Sequence, residues 1–319
     1  MVNFWTQLNK PFFCLAPMDD VTDIVFRDVV EKVSSPDVFF TEFVSVEGLS
    51  SKGRDRVIRR LDRNPESQKP LVAQIWGKDL DAYTKAAEDI SKMGFSGIDI
   101  NMGCPERGIV ARGFCGGLIG NYDGVEKIIE ATKRGANNLP ISVKTRIGLN
   151  EVITEEWFSF LLEQNLDAIT IHARTVREMS KVPARWDEFR KVVELRNKIS
   201  PKTLIIGNGD ILNFRQGIDI AEKTGVDGIM IGRGIFKDMF VFSNKEEEHT
   251  PKDMIDILLF HLDRYKRDDM KKPFNILKKF FKIYINGWDN ASYLRAKLME
   301  TKSPEDVRKI LNNIKDILY

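Results

Sequence analysis

The chain has 319 residues, 42% hydrophobic and 30% charged, with a formal net charge of +2; this is a soluble globular composition, long enough for one α/β barrel with an appendage. The three cysteines, Cys14, Cys104 and Cys115, exclude a disulfide framework and a CxxC metal pair. No apolar run reaches the roughly 20 residues of a membrane span, and the N-terminus lacks the basic-then-apolar pattern of a secretory signal, so the expected location is the cytoplasm.

Eight short apolar or β-branched runs follow in chain order: FFCLAPM (12–18), DVFFTEFV (37–44), PLVAQIWG (70–77), GIDINMG (97–103), ISVKTRIG (141–148), AITIHAR (168–174), TLIIGNGD (203–210) and GIMIGRGI (228–235). They lack strict polar alternation, as strands of a parallel sheet buried on both faces do. Stretches with helical spacing of apolar residues lie between most of them, including 80–94, 122–135 and 155–165. The alternation predicts a (β/α)8 TIM barrel. The competing doubly wound dinucleotide fold has no GxGxxG after the first strand to support it. Beyond 235 the pattern changes. A polar segment, 243–253, leads into helical sequence, with Thr250 or Asp253 as cap and a later cap at Ser303 with Asp306 three residues on. The predicted organisation is a barrel domain over 1–244 and a small C-terminal helical domain over 245–319.

A (β/α)8 barrel carries its site at the C-terminal ends of its strands. The runs end on Met18, Asp19 and Asp20; Glu42; Gln74; Asn101 and Cys104; Lys144 and Arg146; His172 and Arg174; Asn208 and Asp210; Gly232 and Arg233. Polar groups within strands need partners, so this ring points to a bound polar ligand. The glycines and backbone amides of the last two runs, with Arg233 beside them, suit a phosphate. Lys144 reads as a Schiff-base nucleophile or as an electrostatic partner of an anionic ring. His172 reads as a base, a ligand or a phosphate donor. With three histidines in the chain, no metal site is expected. Between 271 and 297, seven basic residues (Lys271, Lys272, Lys278, Lys279, Lys282, Arg295 and Lys297) face one acid, Asp289. That surplus fits either a polyanion partner or a solvated helix face.

The segments LAPMDDVTDIVFR, TEFV, INMGCPERGIVARGFCGGLI, VKTRIG, IHARTVREM, GNGDI and GIMIGRG occur in this order. Together the barrel segments and the basic tail resemble the tRNA-dihydrouridine synthase family. The resemblance implies flavin mononucleotide (FMN) at the barrel mouth, NADPH or NADH as reductant, and reduction of the 5,6 double bond of uridines in tRNA, with ribosomal RNA as the alternative substrate. Carried over, Pro17, Met18 and Asp19 line the flavin ring, Gln74 and Lys144 bond its pyrimidine edge, and His172, Asn208, Gly209, Asp210, Gly232 and Arg233 hold its phosphate. Hydride goes to carbon 6 of uracil and Cys104 resembles the proton donor to carbon 5, with Asn101 and Arg146 gripping the base. Cys14 reads as packing, and Cys115 as packing or a back-up acid. Arg185 stands where the family commonly has an aspartate, which puts the cap of the following helix in doubt. The basic 271–297 stretch is the expected RNA contact. A monomer with no membrane or DNA partner is expected. The competing readings are a flavin barrel reducing a free pyrimidine or enone, a colourless lyase or isomerase working through Lys144, and an RNA-binding protein without chemistry.

Overall fold

The computed structural model of the chain describes residues 3–245, 248–267 and 272–315. They form two compact units. The first contains the chain up to Thr22, Pro36–Ile211 and Arg215–Gly232; the second contains Asp23–Ser35, Leu212–Phe214 and the chain from Arg233 onward.

The first unit is built on β1 (Phe12–Leu15), β2 (Val38–Phe40), β3 (Val44–Ser45), β4 (Leu71–Trp76), β5 (Gly97–Met102), β6 (Ile141–Arg146), β7 (Ala168–His172), β8 (Leu204–Asn208) and β9 (Gly228–Ile231). All pairings are parallel, and β2 pairs with both β1 and β4, which closes eight strands into a ring. This is the (β/α)8 barrel. One expected strand is split. The run 37–44 breaks between β2 and β3, and the register shows why: Phe40 pairs with Val72 but Val44 with Ile75, so four steps on one strand oppose three on the other. That is a β-bulge. Its extra residue is absorbed by Thr41, whose hydroxyl accepts the Gln74 backbone N–H at 3.0 Å and donates to the Glu42 carbonyl at 2.7 Å.

The helices form where spacing and caps predict. Leu80–Lys92 starts under Asp79, which accepts from Ala82 N–H at 2.8 Å, and stops before Gly94, whose φ of +79° few other residues adopt. Tyr122–Gly135 starts under Asn121. Thr154–Glu163 follows β6. The floor of the barrel is apolar: Phe12, Cys14, Val38, Phe40, Val72, Ala168, Leu204 and Ile206 pack with Trp5, which lies against the Phe12 and Phe40 rings.

The second unit is helical, with Ile24–Val33, Pro251–Arg267, Ala291–Glu300 and Pro304–Lys315 as its longer helices. Both expected caps at 250–253 take part in one box, Thr250 and Asp253 each accepting the other's backbone N–H, and Ser303 with Asp306 does the same. Ile24–Val33 packs on Pro251–Arg267, joined by the Arg264–Asp28 ion pair. Its core holds His261, whose Nδ1 lies 2.8 Å from the Tyr284 hydroxyl among the rings of Phe26, Phe280 and Tyr284. Burial pushes the His261 imidazole down to about 4. The unfolded chain binds that proton near 6.5, so stability is complete above that pH and is lost as pH falls toward 4. Between pH 7 and pH 5 the unfolding free energy should drop by about 2 kcal/mol from this residue. Urea unfolding at the two pH values measures it, and His261→Gln, which keeps a partner for Tyr284, should remove most of the difference.

Candidate active site

Along each strand the inward residues change from apolar to polar toward the C-terminal end: Val72 then Gln74, Ala168 then Thr170 and His172, Leu204 and Ile206 then Asn208. The register puts Asn101 beside Lys144, Arg146 beside His172, and His172 beside Asn208. Lys144 of β6 donates to Asn208 Oδ1 of β8 at 3.0 Å, skipping the strand between them, so this bond crosses the lumen. Asn208 in turn donates to the Met230 carbonyl at 2.8 Å. The Lys144 ammonium is half-buried, and among the described residues it makes that one hydrogen bond. Burial, and then the Arg146 charge, push it down to about 8, against the opposing pull of Asp99.

A buried chain of side chains lies beside it. Ser142 donates to Asp99 Oδ1 at 2.6 Å, Gln74 Nε2 donates to Asp99 Oδ2 at 2.7 Å, and Asn101 Nδ2 donates to Gln74 Oε1 at 3.0 Å. Asn101 Oδ1 then accepts the backbone N–H groups of Gly103 and Cys104 at 3.0 and 3.1 Å. Asp99 is absent from the sequence-level site; an acid in the middle of the apolar run GIDI was the signal for it.

Cys104 opens the loop after β5. Its carbonyl accepts Gly116 N–H at 3.2 Å, and Glu106 caps the short helix Arg107–Ala111 that follows. The thiol is half-buried, and burial raises it above the ordinary thiol range, against the opposing pull of the Glu106 backbone N–H and of Arg146. It therefore carries its proton at neutral pH. Arg146 is buried and bonds three backbone carbonyls: Gly103 at 2.7 Å, Thr175 at 3.1 Å and Met179 at 2.8 Å. It thus ties the Cys104 loop to the loop after β7. Cys14 and Cys115 are fully buried, and burial drives both thiols far up.

The loops after β7 and β8 are joined by Arg174, which the sequence placed in the polar ring without a specific role. Only 2% exposed, it bonds the Val182 carbonyl at 2.6 Å, lies 3.1 Å from His172 Nε2 and pairs with Asp210. Asp210 also accepts Ala184 N–H at 3.0 Å. Gly209 and Asp210 take φ of +137° and +54°, and a Cβ on Gly209 would meet Ala184 at 2.9 Å. Gly232 follows the end of β9, and a Cβ there would meet Ala16 and Met18 at 3.5 and 3.8 Å; Arg233 opens the turn Arg233–Phe236 in the second unit. After β1, the Met18 backbone N–H is held by Thr22 at 2.9 Å. Asp19, Asp20 and Glu42 are grouped closely enough to hold an ion, but the Arg60 guanidinium pairs with all three. Asp187–Ile199 has no side-chain cap, as the departure at Arg185 implied; Arg185 instead makes a two-bond pair with Glu178 at 2.7 and 2.5 Å.

In the second unit the basic residues divide. Lys272 pairs with Asp23 at 2.9 Å, Lys278 bonds the Met299 carbonyl at 2.7 Å and Arg295 the Ile285 carbonyl at 2.6 Å. Lys279, Lys282 and Lys297 are exposed, Lys297 lying over the exposed Tyr293 ring at 4.5 Å. Lys271 lies outside the described residues. Among the described residues no helix is long and apolar enough to cross a membrane.

Comparison with known proteins places this arrangement. The family model for dihydrouridine synthase (Dus) matches residues 14–318. A protein of Staphylococcus aureus strain COL named "Probable tRNA-dihydrouridine synthase" is 44% identical over 314 residues, 97% of this chain and 95% of its own. "Probable tRNA-dihydrouridine synthase 2" of Bacillus subtilis strain 168 is 44% identical over 316 residues, 98% of this chain and 96% of its own. Among solved structures, morphinone reductase superposes with a TM-score of 0.52 at 9% identity, over 74% of this chain and 86% of its own. A 2-naphthoyl-CoA reductase gives 0.57 at 9% identity, over 72% and 49%. At such identity the solved structures speak for the barrel fold alone.

Proposed function

The chain belongs to the dihydrouridine synthase family, and from that premise we propose that it reduces the 5,6 double bond of selected uridines in tRNA, using FMN and a nicotinamide reductant, NADPH or NADH. The residues fit FMN. The half-buried Lys144 ammonium has two N–H groups beyond the one given to Asn208 and no carboxylate bonded to it among the described residues, which is the donor set an anionic ring edge would complete. Lys144 and Gln74 would hold that edge and Pro17, Met18 and Asp19 would line the ring. His172, Asn208, Gly209, Asp210, Gly232 and Arg233 would hold the phosphate. When bound, FMN supplies a two-electron carrier between the nicotinamide and carbon 6 of uracil.

The rest is work for this chain's own side chains. Cys104 keeps its proton at neutral pH because of its burial, and would give it to carbon 5. Asn101 and Arg146 would orient the base, with the Arg146 charge offsetting negative charge on the uracil oxygens. A base reaches such a mouth only outside its stack, so the substrate uridine lies where RNA is looped or strained. Phosphate contacts would come from the helical domain over 245–319, chiefly from Lys279, Lys282 and Lys297. The enzyme would act in the cytoplasm as a monomer.

The observation that carries this reading is a half-buried thiol whose own backbone N–H is fixed by Asn101, within electrostatic reach of the Lys144 and Arg146 charges. The experiment is a visible spectrum under anaerobic conditions. A yellow protein that bleaches with NADPH and recovers with unmodified tRNA, but not with uridine, bears the reading out. Recovery with ribosomal RNA alone moves the substrate, and recovery with uridine or a small enone removes RNA from the reaction. A colourless protein that FMN does not reconstitute overturns the redox reading and returns Lys144 to the nucleophile role.

A further inference from the structure

The proposed acid, Cys104, sits at one end of the buried chain Asp99–Gln74–Asn101, and that chain has a direction. Backbone N–H groups can only donate, so Gly103 and Cys104 require Asn101 to present its oxygen to them. Its NH2 group then faces Gln74, which must answer with Oε1. That turns the Gln74 NH2 toward position 99, where an acceptor is required. An ionised carboxylate is the side chain that only accepts, and Asp99 supplies it, with Ser142 donating to its other oxygen. Between a donor-only end and an acceptor-only end, two amides that could each lie either way have one orientation that satisfies every bond. Asp99, Gln74 and Asn101 are all buried, so a reversed amide would leave groups unpaired away from water.

We propose that Asp99 is a positioning residue: its carboxylate sets the Gln74 and Asn101 amides, and through them the turn that aims the Cys104 thiol. This rests on the reading of Cys104 as the acid. The groups facing the carboxylate are Ser142 and Lys144 of β6, Gln74 of β4 and the Cys14 thiol of β1. Burial raises Asp99 to about 6, with the Ser142 and Gln74 bonds and the Lys144 charge pulling the other way. A neutral carboxyl gains a donor and loses its charge, so the chain keeps its backbone end at Gly103 and Cys104 but loses the acceptor-only anchor at the other. The positioning is therefore present above pH 6 and fades as pH falls through it.

Asp99→Asn keeps the size and adds a donor where the chain needs an acceptor. In the flavin-loaded protein it should lower the single-turnover rate at saturating tRNA at least tenfold. The wild type should lose rate below pH 6, and the variant should not; a merely space-filling role would produce no such loss. Independently of turnover, it should change the iodoacetamide alkylation rate of Cys104 threefold or more, read by mass spectrometry, with Cys14 and Cys115 still unreactive. Where Asp99→Asn does not accumulate as folded protein, Asp99→Ser carries the same expectations, because a hydroxyl donates as readily as it accepts. A variant with wild-type turnover and alkylation overturns the proposal, as does one that keeps the acid fall in rate. If the wild type reduces no RNA while Asp99→Asn still changes Cys104 alkylation, the positioning stands and the functional reading fails.

Discussion

Cys104→Ala should cut the single-turnover rate of uridine reduction by roughly two to four powers of ten, the range of a lost general acid, while NADPH still bleaches the flavin at the wild-type rate. The two halves of the reaction separate because the thiol is needed only when carbon 5 takes its proton. Alanine removes the sulfur but leaves the loop's anchors, since the Asn101, Gly116 and Arg146 bonds all run to backbone atoms of Gly103 and Cys104. The variant should therefore fold, keep its colour and bind tRNA. Burial raises the Cys104 thiol, so the wild-type rate should hold through neutral pH and decline only above the ordinary thiol range, as the proton is lost. Stopped-flow reoxidation of the reduced protein by tRNA measures both. A rate within threefold of wild type would mean that water or another group supplies the proton.

Lys144→Met should have the second largest effect, and in two opposite directions. Without the ammonium, stabilisation of negative charge on the flavin is lost, and reduction by NADPH should slow by roughly two to three powers of ten, with weaker retention of FMN on dialysis. The apoprotein, by contrast, should become more stable. Lys144 is held near 8 in the fold and near 10.4 when unfolded, so the folded state disfavours the charge. The penalty is full below pH 8 and is relieved as pH rises from 8 toward 10.5. Methionine removes it, and with solvent screening of a half-buried group the gain should be about 1–3 kcal/mol at pH 7. Thermal unfolding of flavin-free protein checks this. A site that is costly to keep and active only when occupied is what stability traded for function looks like.

Much of this was legible in the residues. Parallel strands buried on both faces leave unbroken β-branched runs, and the helix starts carry their own caps, as at Asp79, Asn121, Thr250 and Ser303. The ring of polar residues was legible because Gln74, Lys144 and His172 interrupt apolar runs. The remainder depends on register between distant strands. Asp99 meets Gln74, 25 residues earlier, and Ser142, 43 residues later, and no local pattern encodes either meeting. The bulge at Thr41 is invisible for the same reason, since it exists only relative to β4. Three of the basic residues counted toward a polyanion surface, Lys272, Lys278 and Arg295, turn out to hold their own unit together; composition records charge but not what already neutralises or orients it.

The apolar floor of the barrel makes the lumen a cup and not a tube. With Trp5, Phe12 and Phe40 closing the lower end, whatever enters must leave by the same rim. On the proposed reaction, two visitors as unlike as a nicotinamide and a nucleotide extruded from tRNA would have to share that one doorway. The floor would thereby impose a schedule: the first would depart before the second arrives, and the electrons would wait on something that stays behind.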